Sequence, residues 1–410
     1  MIGGVLGKRT SAVKLILLVM PLWLAGCISA VDYGDVRHAD YVANGRCDPG
    51  PEAVAASYKP FFFVTSRLPD CRSADVKMLS YRGDRVRFGR FAAPQDIINE
   101  KGKVDGQHIP FTLSNNAQWW ADLAKAMDKR EGRVLLYVHG FRETFFTSSR
   151  DAAQIARLTE FSGPVIQYSW PSQGEFLKYA VDETNMYYDE YNFRQFLTKL
   201  AQQPWTKEIV LVSHSLGARL VLPSVEFVDN TATSRDSSVI SNIILASPDV
   251  DRQDFERGIA KEILSAHRVN NDRRITIYAS VKDRALSLSD DIHGYPRLGR
   301  PRCFDPFRAS ELEAKGLPER CYAAKSEYDV PPEKSGLTIV DTTPVSRGRT
   351  GHSDYLRSAV ACADFSAVVN GARKDMKGRV PTHLSHVFTL TPPVNDDKQI
   401  DETICRRNVK

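Results

Sequence analysis

Twelve residues, Glu208 to Arg219, constrain this chain more than any others. Ile209, Val210, Leu211 and Val212 form a short apolar run rich in β-branched residues, the composition of a strand buried on both faces of a parallel sheet. Ser213-His214-Ser215-Leu216-Gly217 then sets small residues two before and two after Ser215, and from Ala218 the spacing becomes helical. A strand, a sharp turn with a serine at its tip and a helix have the form of a nucleophile elbow, with Ser213 standing where the usual motif has its first glycine. Small neighbours let a strained turn hold the serine Oγ clear of the backbone and leave the next amide free to bind an oxyanion. A plain Ser/Gly-rich connection is the competing reading of these five residues.

The chain around this stretch alternates strands and helices. Apolar runs predict strands at 134–138, 165–170, 239–246, 275–281 and 337–341, the last of the series, and helical spacing predicts helices at 148–161, 184–203 and 254–267. That rhythm implies an α/β fold: a mostly parallel central sheet with helices on both faces, right-handed crossovers and a site at the carboxyl ends of the strands. Upstream, 61–67 and 85–91 read as edge strands, with a bulge at Gly89 to explain why Phe91 falls out of phase with Val86 and Phe88. A helix over 115–129 carries Trp119 and Trp120, which its amphipathic spacing assigns to the core in preference to a sugar-stacking platform. Residues 59–392 are expected to form one domain, with a loop-rich insert over 287–336 able to lie across the site as a lid, and 393–410 a C-terminal tail.

The first 26 residues have a basic start at Lys8 and Arg9 and an apolar segment from Leu15 to Ala25, too short to span a membrane. Ending in Leu24-Ala25-Gly26-Cys27, they resemble a bacterial lipoprotein signal, which implies a lipid on Cys27, a polar tether over 27–58 and membrane attachment facing the periplasm. Without Asp after Cys27, the outer membrane is the expected location. Six further cysteines in an exported chain favour disulfides, Cys303 with Cys321 first among the pairings. None has the CxxC spacing of a metal or redox site. A net charge of +5, from 55 basic and 50 acidic residues mixed throughout, leaves no footprint for nucleic acid.

Four features at strand ends carry chemistry. His139-Gly140-Phe141 closes a strand where a serine hydrolase takes an oxyanion donor, making the amides of Phe141 and Leu216 the candidate pair. Ser215 needs a base; adjacent His214 leaves the elbow in another direction and is read as packing. His352, in Gly351-His352-Ser353-Asp354-Tyr355 after the strand at 337–341, is favoured as that base over His383 and His386. Asp283, directly after the strand at 275–281, gives the order Ser, Asp, His and is favoured over Asp249 as the acid that orients the base.

With these residues in place, the sequence resembles the α/β-hydrolase superfamily, specifically bacterial exported α/β hydrolases of unknown function. The segments that carry the resemblance are FFFVTSR, RVRFGRFAAP, LLYVHGF, LVSHSLGAR, ILASPDVD, YASVKDRALSLS, RLG at 297–299 and GHSDY, which cover most of 61–356. It implies an esterase-like or lipase-like enzyme acting on a small-molecule or lipid ester through Ser215, Asp283 and His352, without metal or organic cofactor. The alternatives are a lipid-tethered envelope binding or assembly factor on the same fold, and an acyltransferase using the same three residues.

Overall fold

The computed structural model describes residues 60–70, 76–93, 111–128, 131–231, 238–264, 273–302, 336–346, 350–372 and 378–392, with a few isolated positions between them. Its centre is an 11-stranded sheet. In chain order the strands are β1 (Pro60–Asp70), β2 (Lys77–Ala92), β3 (Phe111–Ser114), β4 (Arg133–Val138), β5 (Val165–Ser169), β6 (Glu208–His214), β7 (Asn242–Ala246), β8 (Arg274–Ala279), β9 (Leu337–Asp341), β10 (Arg379–Pro381) and β11 (Val387–Leu390). Across the sheet they run β10-β11-β9-β8-β7-β6-β4-β5-β1-β2-β3, parallel from β11 to β1, with antiparallel pairs at both margins.

Helices cover both faces. On one lie α1 (Asn116–Asp128), α3 (Tyr179–Gln202), α4 (Ala218–Thr231) and the helical turns over 252–264; on the other lie α2 (Phe145–Leu158) and α6 (Ala359–Val369). A further helix, α5 (Arg284–His293), follows β8. Because both faces are covered, strand side chains alternate between two apolar layers, not between core and water: Ile209 and Leu211 pack with the α3–α4 layer, Val210 and Val212 with the α2–α6 layer. The uninterrupted apolar run that marks β6 in the sequence is this double burial. Trp119 joins the core and its indole N–H donates to the Gly89 carbonyl at 3.0 Å, so the paired tryptophans pack the interior.

The margins differ from the sequence expectation. β1 and β2 are not edges: β1 sits between β5 and β2, and β2 is covered by the four-residue β3. Nor is there a bulge at Gly89, where pairing runs without a break from Phe61↔Phe91 to Thr65↔Arg87; the irregularities fall at Thr65–Arg67 and Arg67–Pro69. Phe91 is out of phase with Phe88 because the two side chains serve opposite apolar layers. Gly89 has a different job, since a Cβ there would lie 2.2 Å from the Thr112 carbonyl oxygen and 2.4 Å from the Phe63 ring. β9 is not the last strand, because β11 adds to it in parallel and β10 closes that margin. The expected lid region opens with α5 and an ordered return to residue 302; most of 303–335 lies outside the described residues, as do Cys27, the Cys303–Cys321 pair, the tether and the tail. Among the described residues, no helix is long and apolar enough to cross a membrane.

Candidate active site

Ser215 stands at the tip of the turn from β6 into α4 with φ +52°, the left-handed region that side chains other than glycine seldom adopt. Such a conformation costs on the order of 1–3 kcal/mol and persists where the surroundings over-determine it. The surroundings here are close. A Cβ on Gly217 would lie 2.5 Å from the His139 carbonyl oxygen, and one on Gly140 would lie 2.8 Å from the Ser215 Cβ. The elbow is thus pressed against the loop after β4, and only glycines allow the approach.

That loop carries Phe141. His139 is locked beneath it: its ring stacks on Trp170 at 4.9 Å, its Nε2 lies 3.1 Å from the Trp170 carbonyl oxygen and its Nδ1 2.9 Å from the Gly140 carbonyl oxygen. Burial pushes its pKa well below 6.5, helped by the nearby Arg67. The Phe141 amide therefore sits on a fixed loop one residue from the glycine that touches Ser215. The Leu216 amide, the other sequence-predicted donor, follows Ser215 directly at the positive end of the helical segment that leads into α4.

The structure brings Asp283 and His352 together. His352 Nδ1 donates to Asp283 Oδ2 at 2.7 Å, which leaves Nε2 as the basic nitrogen. Asp283 is fully buried and caps α5, its other oxygen accepting the Leu286 amide at 2.9 Å, so helix start and ring are oriented by one carboxylate. The two loops are pinned: Arg284 N–H donates to the Thr350 carbonyl at 2.8 Å, and Gly351, at φ +65°, passes so close to Lys282 that a Cβ would lie 2.9 Å from its carbonyl oxygen. Burial acts to lower the His352 pKa, but the Asp283 carboxylate and its hydrogen bond outweigh it and raise the value above 6.5.

His214 joins this pair to the elbow. Its Nε2–H donates to the His352 carbonyl at 3.0 Å and the two rings lie 4.7 Å apart. Burial first, and then His352, push its pKa down to about 3, so it stays neutral and serves as a strut. Among the described residues, Ser215 and His352 share no hydrogen bond.

Asp249 is brought to the same region but spent differently. It accepts from Tyr179 Oη (2.7 Å), Ser289 Oγ (2.7 Å) and Arg219 Nη2 (3.2 Å), while Arg297 lies at 3.6 Å. Its backbone amide donates to the Ser215 carbonyl at 3.1 Å. This carboxylate ties α3, α4 and α5 together beside the elbow. His383 and His386 precede β11, at the amino end of the parallel strands and away from the site.

One component was not visible as a site residue in the sequence. Arg67, at the carboxyl end of β1 and wholly buried, donates from Nε to Ser169 Oγ (2.9 Å), from Nη1 to the Ser172 carbonyl (2.9 Å) and from Nη2 to the Glu143 carbonyl (2.7 Å). Burial lowers its pKa to about 10. The Asp182 carboxylate completes the clamp, accepting the Arg142 amide (3.2 Å), the Gln173 amide (2.7 Å) and the Ser172 hydroxyl. Arg142, next to Phe141, is held at φ +64°. The signal in the sequence was a lone cation three residues after the apolar run of FFFVTSR, inside a strand where burial demands several acceptors. An Arg67→Met variant should destabilise the fold by about 3 kcal/mol in denaturant unfolding, with Arg67→Lys recovering part of the loss. An Arg67→Met chain as stable as wild type would show that the clamp does not hold the loop.

Residues 115–366 match a family described as "Alpha/beta hydrolase of unknown function (DUF900)", while no curated protein matches the chain. The match includes Phe141, Ser215, Leu216, Asp283 and His352, and leaves out FFFVTSR, RVRFGRFAAP and the strands after α6. With more than half of the 410 residues matched and a mostly parallel sheet covered by helices on both faces, the chain belongs to this family of α/β hydrolases.

Proposed function

We propose that the chain is a serine hydrolase that cleaves carboxylic esters through Ser215, His352 and Asp283. The observation that carries the reading is the Asp283–His352 hydrogen bond on loops pinned beside a left-handed Ser215. In this mechanism Ser215 Oγ attacks the ester carbonyl and gives its proton to His352 Nε2. The oxyanion is held by the Phe141 and Leu216 amides, and Asp283 stabilises the imidazolium. Collapse expels the alcohol, which takes the proton from His352. Water then attacks the acyl-enzyme, again through His352, and the acid leaves with Ser215 regenerated. The hydrogen bond from Ser215 to His352 forms when substrate fills the site, as in many hydrolases whose catalytic contacts tighten on binding. Attachment to a membrane through a lipid on Cys27 belongs to the same proposal and rests on the LAGC tetrapeptide after an apolar segment.

The test is turnover of short-chain p-nitrophenyl esters as a function of pH. His352 acts only when neutral, and its raised pKa means that kcat/KM should climb with pH through a midpoint above 6.5. Folded protein that hydrolyses no ester in a panel of acyl lengths, or a limb centred below 6.5, contradicts the reading.

A further inference from the structure

Exposed apolar side chains gather at the rim of this site. The turn Phe176–Lys178 and the first turn of α3 expose Phe176 (55%), Leu177 (89%) and Val181 (39%), while α5 and the residues just past it expose Leu288, Ile292 (55%) and Tyr295 (52%). The two helices meet at the catalytic loops. Tyr179 donates to Asp249, lies 3.4 Å from Ser289 Oγ and packs its ring against Phe141 at 5.1 Å and His293 at 5.8 Å. Asp283 is itself the N-cap of α5. Single exposed apolar residues are ordinary, but a group of large ones on two touching helices beside a reactive serine marks a surface that meets an apolar partner.

Two features say which partner. The exposed charges beside the patch include Arg142, Lys282 and Arg284 against Glu175 and Asp291, a slight positive excess that suits an anionic surface. Residues 28 to 59 separate Cys27 from β1. A lipid on Cys27 would keep the domain near a bilayer at high effective concentration, and the patch adds a hold of its own. Tyr187 and Tyr191, exposed farther along α3, suit the headgroup level of such a surface.

We infer that this patch seats the domain on an anionic phospholipid bilayer, with Leu177 and Ile292 entering the acyl region, and delivers a membrane lipid ester to Ser215. The delivery rests on the serine-hydrolase reading above; the seating does not.

The experiment uses the mature chain from residue 27 carrying Cys27→Ser, which removes the lipid, and vesicles of phosphatidylethanolamine and phosphatidylglycerol. The chain should float with the vesicles, and the Leu177→Asp/Ile292→Asp double variant should lose about tenfold or more of that partitioning. The double variant should keep p-nitrophenyl butyrate hydrolysis within about twofold of the parent while losing phospholipid hydrolysis in proportion to its binding. Failure of the parent chain to float, or flotation of the double variant at parental level, overturns the seating. Flotation lost on mutation with no ester turnover by either protein supports the seating and overturns the hydrolase reading.

Discussion

A Ser215→Ala variant should hydrolyse short acyl esters about a million-fold more slowly than wild type in kcat, and should melt at the same temperature. The loss is large because the hydroxyl is the bond-forming group; the oxyanion amides and substrate binding remain and leave only a small rate above that in water. Stability should hold to within about 1 kcal/mol, because alanine retains the Cβ that already fits at φ +52° and only one hydroxyl is lost. Ser215→Gly provides the complementary result. It should be equally inactive but more stable by about 1 kcal/mol, since glycine adopts the left-handed region without strain. Hydrolysis by folded Ser215→Ala at more than a percent of the wild-type rate would remove the serine from the mechanism.

Asp283→Asn should be the next largest effect, about ten-thousand-fold in kcat. An amide at the position of Oδ2 neither stabilises the imidazolium nor enforces the Nδ1–H tautomer, so Nε2 no longer presents its lone pair to the nucleophile. The pH profile carries a second signature. Without this carboxylate, the largest influence opposing burial at His352 is gone, and the midpoint of the limb should move downward from its wild-type position. Asp249→Asn should behave oppositely. Its carboxylate answers Arg219 and Arg297 and receives Tyr179 and Ser289, so the charge lost is a structural one. Breaking a buried pair of this kind costs about 3–5 kcal/mol, while the midpoint of the surviving activity should move less than in Asp283→Asn, because Asp249 raises the His352 pKa less than Asp283 does. If Asp249→Asn moves the limb and Asp283→Asn does not, the acid has been assigned to the wrong residue.

Chain order does not separate these two aspartates, because both fall between Ser215 and His352, both follow adjacent strands and both lie within reach of the elbow. What distinguishes them comes from elsewhere in the chain: Arg219 on α4 and Tyr179 on α3 occupy Asp249, and the loop around Gly351 brings His352 to Asp283. The elbow itself was legible because double burial leaves a continuous apolar run and close approach leaves small residues, both of which are local signals. Short margin strands were not. β3 and β11 have four residues each and β10 three, lengths at which alternation cannot be told from chance. α3 begins before the helix expected at 184 because its first turns bury Asp182 and Asn185 and expose Val181, the reverse of an amphipathic pattern. α5 was read as loop for its polar composition, although its Asp283 cap and the left-handed Gly294 that ends it are ordinary helix boundaries. The Arg67 clamp depends on backbone carbonyls of residues 143 and 172, which no residue type in the sequence announces.

The central claim is that Ser215 is a nucleophile activated by His352. Its most direct test is labelling with a fluorophosphonate, which phosphonylates an activated serine and loses fluoride. Intact mass should show one adduct per chain, peptide mapping should place it on Ser215, and Ser215→Ala and His352→Ala should each abolish it. A folded wild-type chain that takes up no label, or takes it up at another residue, contradicts the account.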